Sequence, residues 1–310
     1  EISDTITVMR QGKTVGQVKT SDVTEKSLAA LMVGREVTLR VERKATDQSQ
    51  RVASVEGLRV VNARGTEIVA GLDLNVHSGE IVGLVGVEGN GQAETLEAIT
   101  GLRAISAGTI TIANENATPL SVLQRRGLGL ASIPEDRIAE GLATGASVAE
   151  NLVATKLGDA RYVRNGLLDL KAIRANAQKL IERFSIRVGG ASSAVSTLSG
   201  GNMQKVVVAR ELAEQPKLLL VNQPTRGVDL GATQFIWRTI TDARDAGAAV
   251  LLSSADLSEL LALSDRLIVL YRGKIVAAFV NRPDLTPETL GAYMLGLSTQ
   301  SKEEMQVALK

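Results

Sequence analysis

Four short, almost wholly apolar runs constrain this chain more than any other feature: Ile81 to Gly86, Leu128 to Ile133, Leu218 to Val221 and Ala248 to Leu252. A strand with one wet face alternates polar and apolar side chains, whereas a run apolar on both faces belongs to a strand covered on both sides. Between the runs lie amphipathic stretches such as Lys171 to Phe184 and Phe235 to Arg244. Alternation of this kind from about Val55 onward predicts an α/β domain with a mainly parallel sheet. Aromatics are 2% of a chain that is 44% hydrophobic, so the core has to be aliphatic. At 310 residues, one large domain with an appendage is expected.

An internal repeat says what the appendage is. Ser3 to Val15 (SDTITVMRQGKTV) reads like Ser264 to Val276 (SDRLIVLYRGKIV), a strand, a Gly-Lys turn and a second strand. After a one-residue slip, Thr24 to Gly34 (TEKSLAALMVG) resembles Thr286 to Gly296 (TPETLGAYMLG), each opening like a capped helix and ending at Gly. The second copy closes a long α/β domain and the first has none before it. The expectation is a tandem polypeptide: residues 1–42 end a first domain, 43–54 are a linker (RKATDQSQRVAS), 55–300 are the second domain and 301–310 a tail. The alternative is a self-contained protein with an N-terminal hairpin and helix.

Directly after the first apolar run comes Gly86-Val87-Glu88-Gly89-Asn90-Gly91-Gln92-Ala93-Glu94, entering a helical segment. Strand, glycine-rich loop and helix start form a phosphate cradle of backbone N–H groups. The P-loop pattern G-x-x-x-x-G-K-[ST] finds its glycines at Gly86 and Gly91, with Gln92 and Ala93 in place of Lys and Ser/Thr. Taken alone, the run is equally well a structural strand-to-helix turn.

Downstream, Leu198-Ser199-Gly200-Gly201-Asn202-Met203-Gln204 precedes a helical stretch, the run Leu218 to Val221, and Asn222-Gln223-Pro224-Thr225-Arg226-Gly227-Val228-Asp229. This series resembles the ATP-binding-cassette (ABC) family, with its LSGGQ-type signature, Walker B strand and D-loop, over roughly Val55 to Leu297. Ser147 to Leu152 and the switch region Leu251 to Leu257 match as well. More narrowly, GVEGNGQ, IPEDR (Ile133 to Arg137) and QPTRGVD are similar to the second cassette of tandem ATPases serving simple-sugar and nucleoside importers.

The resemblance implies a P-loop NTPase-like ABC domain with a mainly parallel core sheet, an antiparallel β part and a helical subdomain, preceded by a fragment of another cassette. It implies ATP and Mg²⁺ as cofactors of the full-length protein. The implied partners are a first cassette in the same polypeptide, transmembrane permease subunits and, indirectly, an extracytoplasmic solute-binding protein. The implied location is cytoplasmic, on the inner face of the cell membrane. It places nucleotide contacts at Gly86, Gly89, Gly91, Gln92, Ala93 and Glu94, and a signature acting in trans at Ser199, Gly200, Gly201 and Gln204. Asp229 is the D-loop residue and Glu135 the Q-loop-like one.

The departures from the family pattern share a direction. Gln92 offers a neutral hydrogen bond, about half as strong as the charge-assisted bond of Lys. Ala93 and Asn222 stand where the family has a hydroxyl and an aspartate for the metal, Gln223 where it has the water-polarising Glu, and Ala255 where it has the switch histidine. No catalytic residue is intact, and no metal set is expected at this P-loop. Glu94 adds negative charge beside any phosphate. The expectation is a non-catalytic cassette that binds nucleotide weakly or not at all and lends its signature to its partner. Two alternatives remain: an active cassette in which backbone contacts compensate, and a soluble, non-transport ABC ATPase.

A net charge of +1 gives no basic field for nucleic acid, the absence of cysteine excludes disulfides and thiolate metal sites, and no apolar run approaches the roughly 18 residues of a membrane span. No signal peptide is evident at the start of the sequence. His77 is expected as an exposed turn residue, Trp237 in the core or an interface, and Arg125-Arg126 and Arg161 to Arg164 on solvated faces. No aromatic suited to stacking on adenine occurs in Leu58 to Ile68.

Overall fold

The computed structural model describes residues 3–10, 13–24, 27–28, 31 and 44–309. The four apolar runs form four adjacent strands of a six-stranded sheet, β8 at its edge. Its strands are β5 (Ile81–Val85), β8 (Leu130–Ile133), β11 (Leu218–Asn222), β12 (Ala249–Ser253), β13 (Arg266–Tyr271) and β14 (Lys274–Val280), ordered β14-β13-β5-β12-β11-β8. Every pairing is parallel except the β13–β14 hairpin.

The absence of polar alternation has the expected cause. Along β5, Ile81 and Val85 join one apolar cluster while Val82 and Leu84 join the other. Leu219 and Val221 of β11 likewise face away from Leu218 and Leu220. Successive side chains point to opposite faces, so a strand covered on both faces must be apolar at every position. One covering layer is an antiparallel sheet ordered β4-β3-β6-β7, made of β3 (Arg51–Val61), β4 (Glu67–His77), β6 (Ala107–Ile112) and β7 (Glu115–Asn116), with helix α1 (Gln92–Thr100).

The other layer is helical. It includes α3 (Val148–Val153), α4 (Leu170–Arg183), α5 (Gly200–Leu212), α6 (Leu230–Asp245) and α7 (Leu257–Leu263); α2 (Val122–Gly127) and the short β9 (Val163–Arg164) and β10 (Leu167–Leu168) lie in the connections. Ser147 and Ser121 start α3 and α2 with reciprocal capping boxes, which satisfy first-turn N–H groups locally. Among the described residues no helix is long and apolar enough to cross a membrane.

The repeat seen in sequence recurs in backbone geometry. β1 (Thr5–Arg10) and β2 (Lys13–Lys19) pair antiparallel, and the register shifts between Val8 and Met9. In β13–β14 it shifts between Val269 and Leu270, the positions the repeat equates with those two. Thr20 N donates to Asp4 O at 3.0 Å, as Asn281 N does to Asp265 O at 2.9 Å. Thr24 Oγ1 accepts from Ser27 N (3.1 Å) as Thr286 Oγ1 accepts from Thr289 N (3.3 Å), the latter capping α8 (Pro287–Met294). Most of the rest of Thr24 to Gly34 lies outside the described residues.

Two boundary regions carry secondary structure of their own. Residues 44–50 take no helix or strand, but Arg51 to Ser54, expected in the linker, already belong to β3, where Val52, Ala53 and Ser54 are buried. Polar neighbours hid a strand start that tertiary contact decides. Likewise the 301–310 tail is largely a helix, α9 (Lys302–Leu309), with Ala308 buried and its carbonyl accepting from Arg266.

Candidate functional site

Parallel order brings the carboxyl ends of β5, β12 and β11 side by side, the edge at which open α/β sheets hold ligands. The loop from Gly86 leaves β5 there and turns into α1 through Gly91, whose φ of +102° suits only glycine. The loop is fastened from outside: Asn90 Oδ1 accepts from Arg272 N (2.7 Å), and Asn90 O accepts from Gly273 N (3.2 Å) in the β13–β14 turn. Glu94 lies in the first turn of α1.

Gln92 is buried, and its side chain turns back into the loop. Its Nε2 lies 3.4 Å from Val87 O, and a methyl group on Gly86 would lie 2.3 Å from that nitrogen. The amide therefore packs against the loop's own backbone at Gly86 and Val87. At the end of β11, Gln223 sits at φ +49° and its Oε1 accepts from Ala255 N at 3.0 Å. The side chain of Gln223, expected at the water-polarising position, is thus bonded to the backbone of Ala255, expected at the switch. Ala93 brings no ligand atom and Asn222 only a neutral amide, so this donor set does not fit Mg²⁺.

The signature lies on a different element. Ser199 caps α5, its Oγ accepting from Asn202 N at 3.4 Å and Asn202 Nδ2 at 2.9 Å. Gly200 and Gly201 begin the helix, closely approached by Arg137 and Asp229 respectively, and Gln204 is buried within the chain. Asp229 caps α6 through Ala232 N (3.0 Å), and a methyl on Gly201 would lie 3.1 Å from its Oδ2. The structure thus joins the signature to the D-loop. Among the described residues no hydrogen bond or ion pair joins Gly86–Glu94 to Ser199–Gln204.

Glu135 forms an ion pair with Arg226 of the D-loop segment. Next to it, Arg137 Nη1 donates to Arg226 O at 2.7 Å and Nη2 to Gly227 O at 3.3 Å. Asp136 accepts from Ala139 N and Ile138 N, and those backbone bonds hold its carboxyl below the usual range. The sequence had singled out the IPEDR run without assigning Arg137 or Arg226 a part. Their charge within that run was the available signal, but not their partner.

The sequence also missed Glu259, fully buried behind the site. Its Oε1 accepts from Trp237 Nε1 (2.6 Å) and Thr225 Oγ1 (2.9 Å), joining α7 to α6 and the D-loop segment. Burial pushes its carboxyl above the ordinary range, against hydrogen bonds from Ser254, Trp237 and Thr225 that pull it down. With a raised folded value, stability is full below the unfolded value and falls as pH rises through the folded one. Urea midpoints measured from about pH 4 to 8 should show that decline, up to about 1.4 kcal/mol per pH unit for one proton. Glu259→Gln should flatten it; a profile unchanged by the substitution would contradict the assignment.

Trp237 is in the core, as expected, and Arg161 is an exposed residue paired with Asp159 and Glu214. Two expectations fail. Arg125 is buried and donates to the carbonyls of Leu120, Ala98, Ile99 and Thr118, while Arg126 pairs with buried Glu211 at 2.6 Å. Arg125 satisfies helix-end carbonyls of α1, a use that sequence charge cannot reveal. His77 ends β4, half-buried, with Nδ1 3.3 Å from Glu80.

A family model described as ABC transporter matches residues 69–226. Over 304 residues the chain is 40% identical to the guanosine import ATP-binding protein NupO of Bacillus subtilis, covering 97% of this chain and 59% of NupO. It is 39% identical over 295 residues to the nucleoside import ATP-binding protein NupA of Lactococcus lactis (95% and 58%). To the glucose import ATP-binding protein TsgD13 of Haloferax volcanii it is 40% identical over 298 residues (96% and 53%). The chain thus spans little more than half the length of these relatives. Among solved structures, a nucleotide-free ATP-binding cassette of an ABC transporter superposes with a TM-score of 0.65 at 19% identity, over 79% of this chain and 99% of that one. The cassette MJ0796, a dimer bound to ADP and Pi, also gives 0.65, at 20% identity over 74% and 99%.

Proposed function

The chain belongs to the ABC transporter family of ATP-binding cassettes, and from that premise we propose that it is the C-terminal part of the ATP-binding subunit of an importer for simple sugars or nucleosides. Residues from Arg51 onward are then the second cassette of a tandem polypeptide, and the β1–β2 hairpin is the end of the first. The repeated register shift supports this reading, as does coverage of 53 to 59% of the relatives' length. The relatives' names supply the solute classes. The partners are the first cassette, permease subunits and, through them, a solute-binding protein, at the inner face of the membrane.

Within that assembly the cassette is the non-catalytic partner. The observation that carries this is an asymmetry: the Gln92 amide, neutral where the family has a cation, turns back onto its own loop, while Ser199, Gly200 and Gly201 open α5 with the cap and glycines of the signature in place. A charged contact to phosphate contributes about 1.5–3 kcal/mol. Losing the Lys and the metal set together therefore lowers affinity by about a hundredfold or more.

Calorimetry of this chain with Mg-ATP should give no micromolar binding, and steady-state turnover should be negligible. Gln92→Lys alone should help only slightly, because Ala93, Asn222 and Gln223 remain. Micromolar, Mg²⁺-dependent binding at this loop would favour an active cassette instead.

A further inference from the structure

Resting on the reading that the signature acts in trans, we infer that Arg137 is a positioning residue, which locks the Glu135–Gly141 segment to the D-loop and to the first turn of α5 so that displacement of the segment moves the signature. Its guanidinium donates to two successive carbonyls, those of Arg226 and Gly227. It also lies directly against the signature backbone. A methyl group on Gly200 would sit 2.9 Å from Arg137 Nη2 and 3.3 Å from Gly227 O, so a side chain there would push the guanidinium off its place.

A second bond crosses the same gap in the opposite direction, from the Arg226 guanidinium to the Glu135 carboxylate. Each segment supplies a cation that the other satisfies. One bond alone would let the segments pivot; two crossed bonds fix both their separation and their angle. The connection then continues through Asp229, whose carboxylate caps α6 and lies against Gly201.

The start of the latch is itself fixed. Asp136 accepts from Ile138 N (2.8 Å) and Ala139 N (3.0 Å), and residues Arg137–Gly141 form a π-helical turn. Such turns are rare, and functional sites account for many of them. A planar guanidinium fork can hold two carbonyls in one geometry, which the point charge of a lysine cannot do. Arg137→Lys therefore separates charge from geometry.

The test uses the full-length ATP-binding protein with and without its permease subunits in vesicles, with ATP as substrate. The readout is the ratio of hydrolysis with the subunits to hydrolysis without them. Arg137→Ala and Arg137→Lys should each lower that ratio by about fivefold or more, with the thermal midpoint little changed. Exchanging the outer pair, Glu135→Arg with Arg226→Glu, should retain more of the ratio than either single change.

Hydrogen exchange at the Gly200, Gly201, Gly227 and Val228 amides should accelerate by about tenfold or more in Arg137→Ala. An unchanged ratio in both Arg137 variants, or hydrolysis falling in proportion with and without the subunits, leaves only a local brace and overturns the inference. Unchanged exchange overturns it too. Should Arg137→Ala fail to fold, Arg137→Lys decides. If Ser199→Ala leaves hydrolysis intact, the trans reading fails instead, and the exchange result still judges the latch.

Discussion

In the full tandem protein assembled with its membrane subunits, Ser199→Ala and Gly201→Val are expected to lower ATP turnover by on the order of a hundredfold or more. In the proposed arrangement, the Ser199 hydroxyl and the N–H groups that follow it face the γ-phosphate held by the first cassette. Loss of one donor aimed at developing transition-state charge typically costs that much. Ser199 is also the cap of α5, so Ser199→Ala loses about 1 kcal/mol of helix stability as well. Ser199→Asp separates the two effects. Aspartate caps as well as serine does, yet it places a negative charge against the phosphate. Turnover should therefore collapse in Ser199→Asp while the thermal midpoint holds. Gly201→Val crowds Ala232 Cβ, 3.0 Å from the position of an added Cβ, and Asp229 at 3.1 Å. The comparison set is Gln92→Ala in the chain's own loop and Gln223→Ala at the end of β11, which should change turnover much less. Equal losses in both sets, measured side by side in reconstituted membranes, would mean that this cassette's own P-loop contributes.

The largest stability effect should come from Arg266→Ala. Arg266 is buried at the start of β13 and pairs with buried Glu80 just before β5. It also donates to Asn75 O on β4 (2.8 Å) and to Ala308 O on α9. Removing it leaves the buried Glu80 carboxylate with no guanidinium, only His77 beside Oε2, and takes a donor from two carbonyls. Breaking a buried pair from one side costs about 3–5 kcal/mol, which a urea titration of the chain would read as a large fall in midpoint. Replacing both partners at once, Arg266→Met with Glu80→Leu, should cost less than Arg266→Ala alone, because no charge is left unpaired. A loss below about 1 kcal/mol in Arg266→Ala would mean that α9 is not held by this residue.

Much of this was legible in sequence. The buried strands could be located because solvation alone forbids polar side chains on a doubly covered strand, and the register shift at Val8 reappears at Val269. The helix start at Ser199 was legible because the signature run leads directly into a helical stretch. Arg125 and Arg126 were misjudged because charge reports a preference for water, whereas burial depends on carbonyls and carboxylates that only folding brings near. The strand at Arg51 to Ser54 and helix α9 were not legible for the same reason, since their apolar contacts lie far along the chain.

The sequence by itself determined which side-chain groups stand at Gln92, Ala93 and Asn222. No conformation gives Gln92 a positive charge, Ala93 a ligand oxygen or Asn222 a negative one, so those losses are fixed by composition at a position. Only the tertiary structure decided where the replacements go and what the remaining charges hold. Gln92 turns back toward Val87, Gln223 bonds to Ala255, and Arg137 reaches Gly227 across 90 residues of chain. Such partners are mostly backbone atoms, which every residue carries alike, and the letters of a sequence do not distinguish one carbonyl from another.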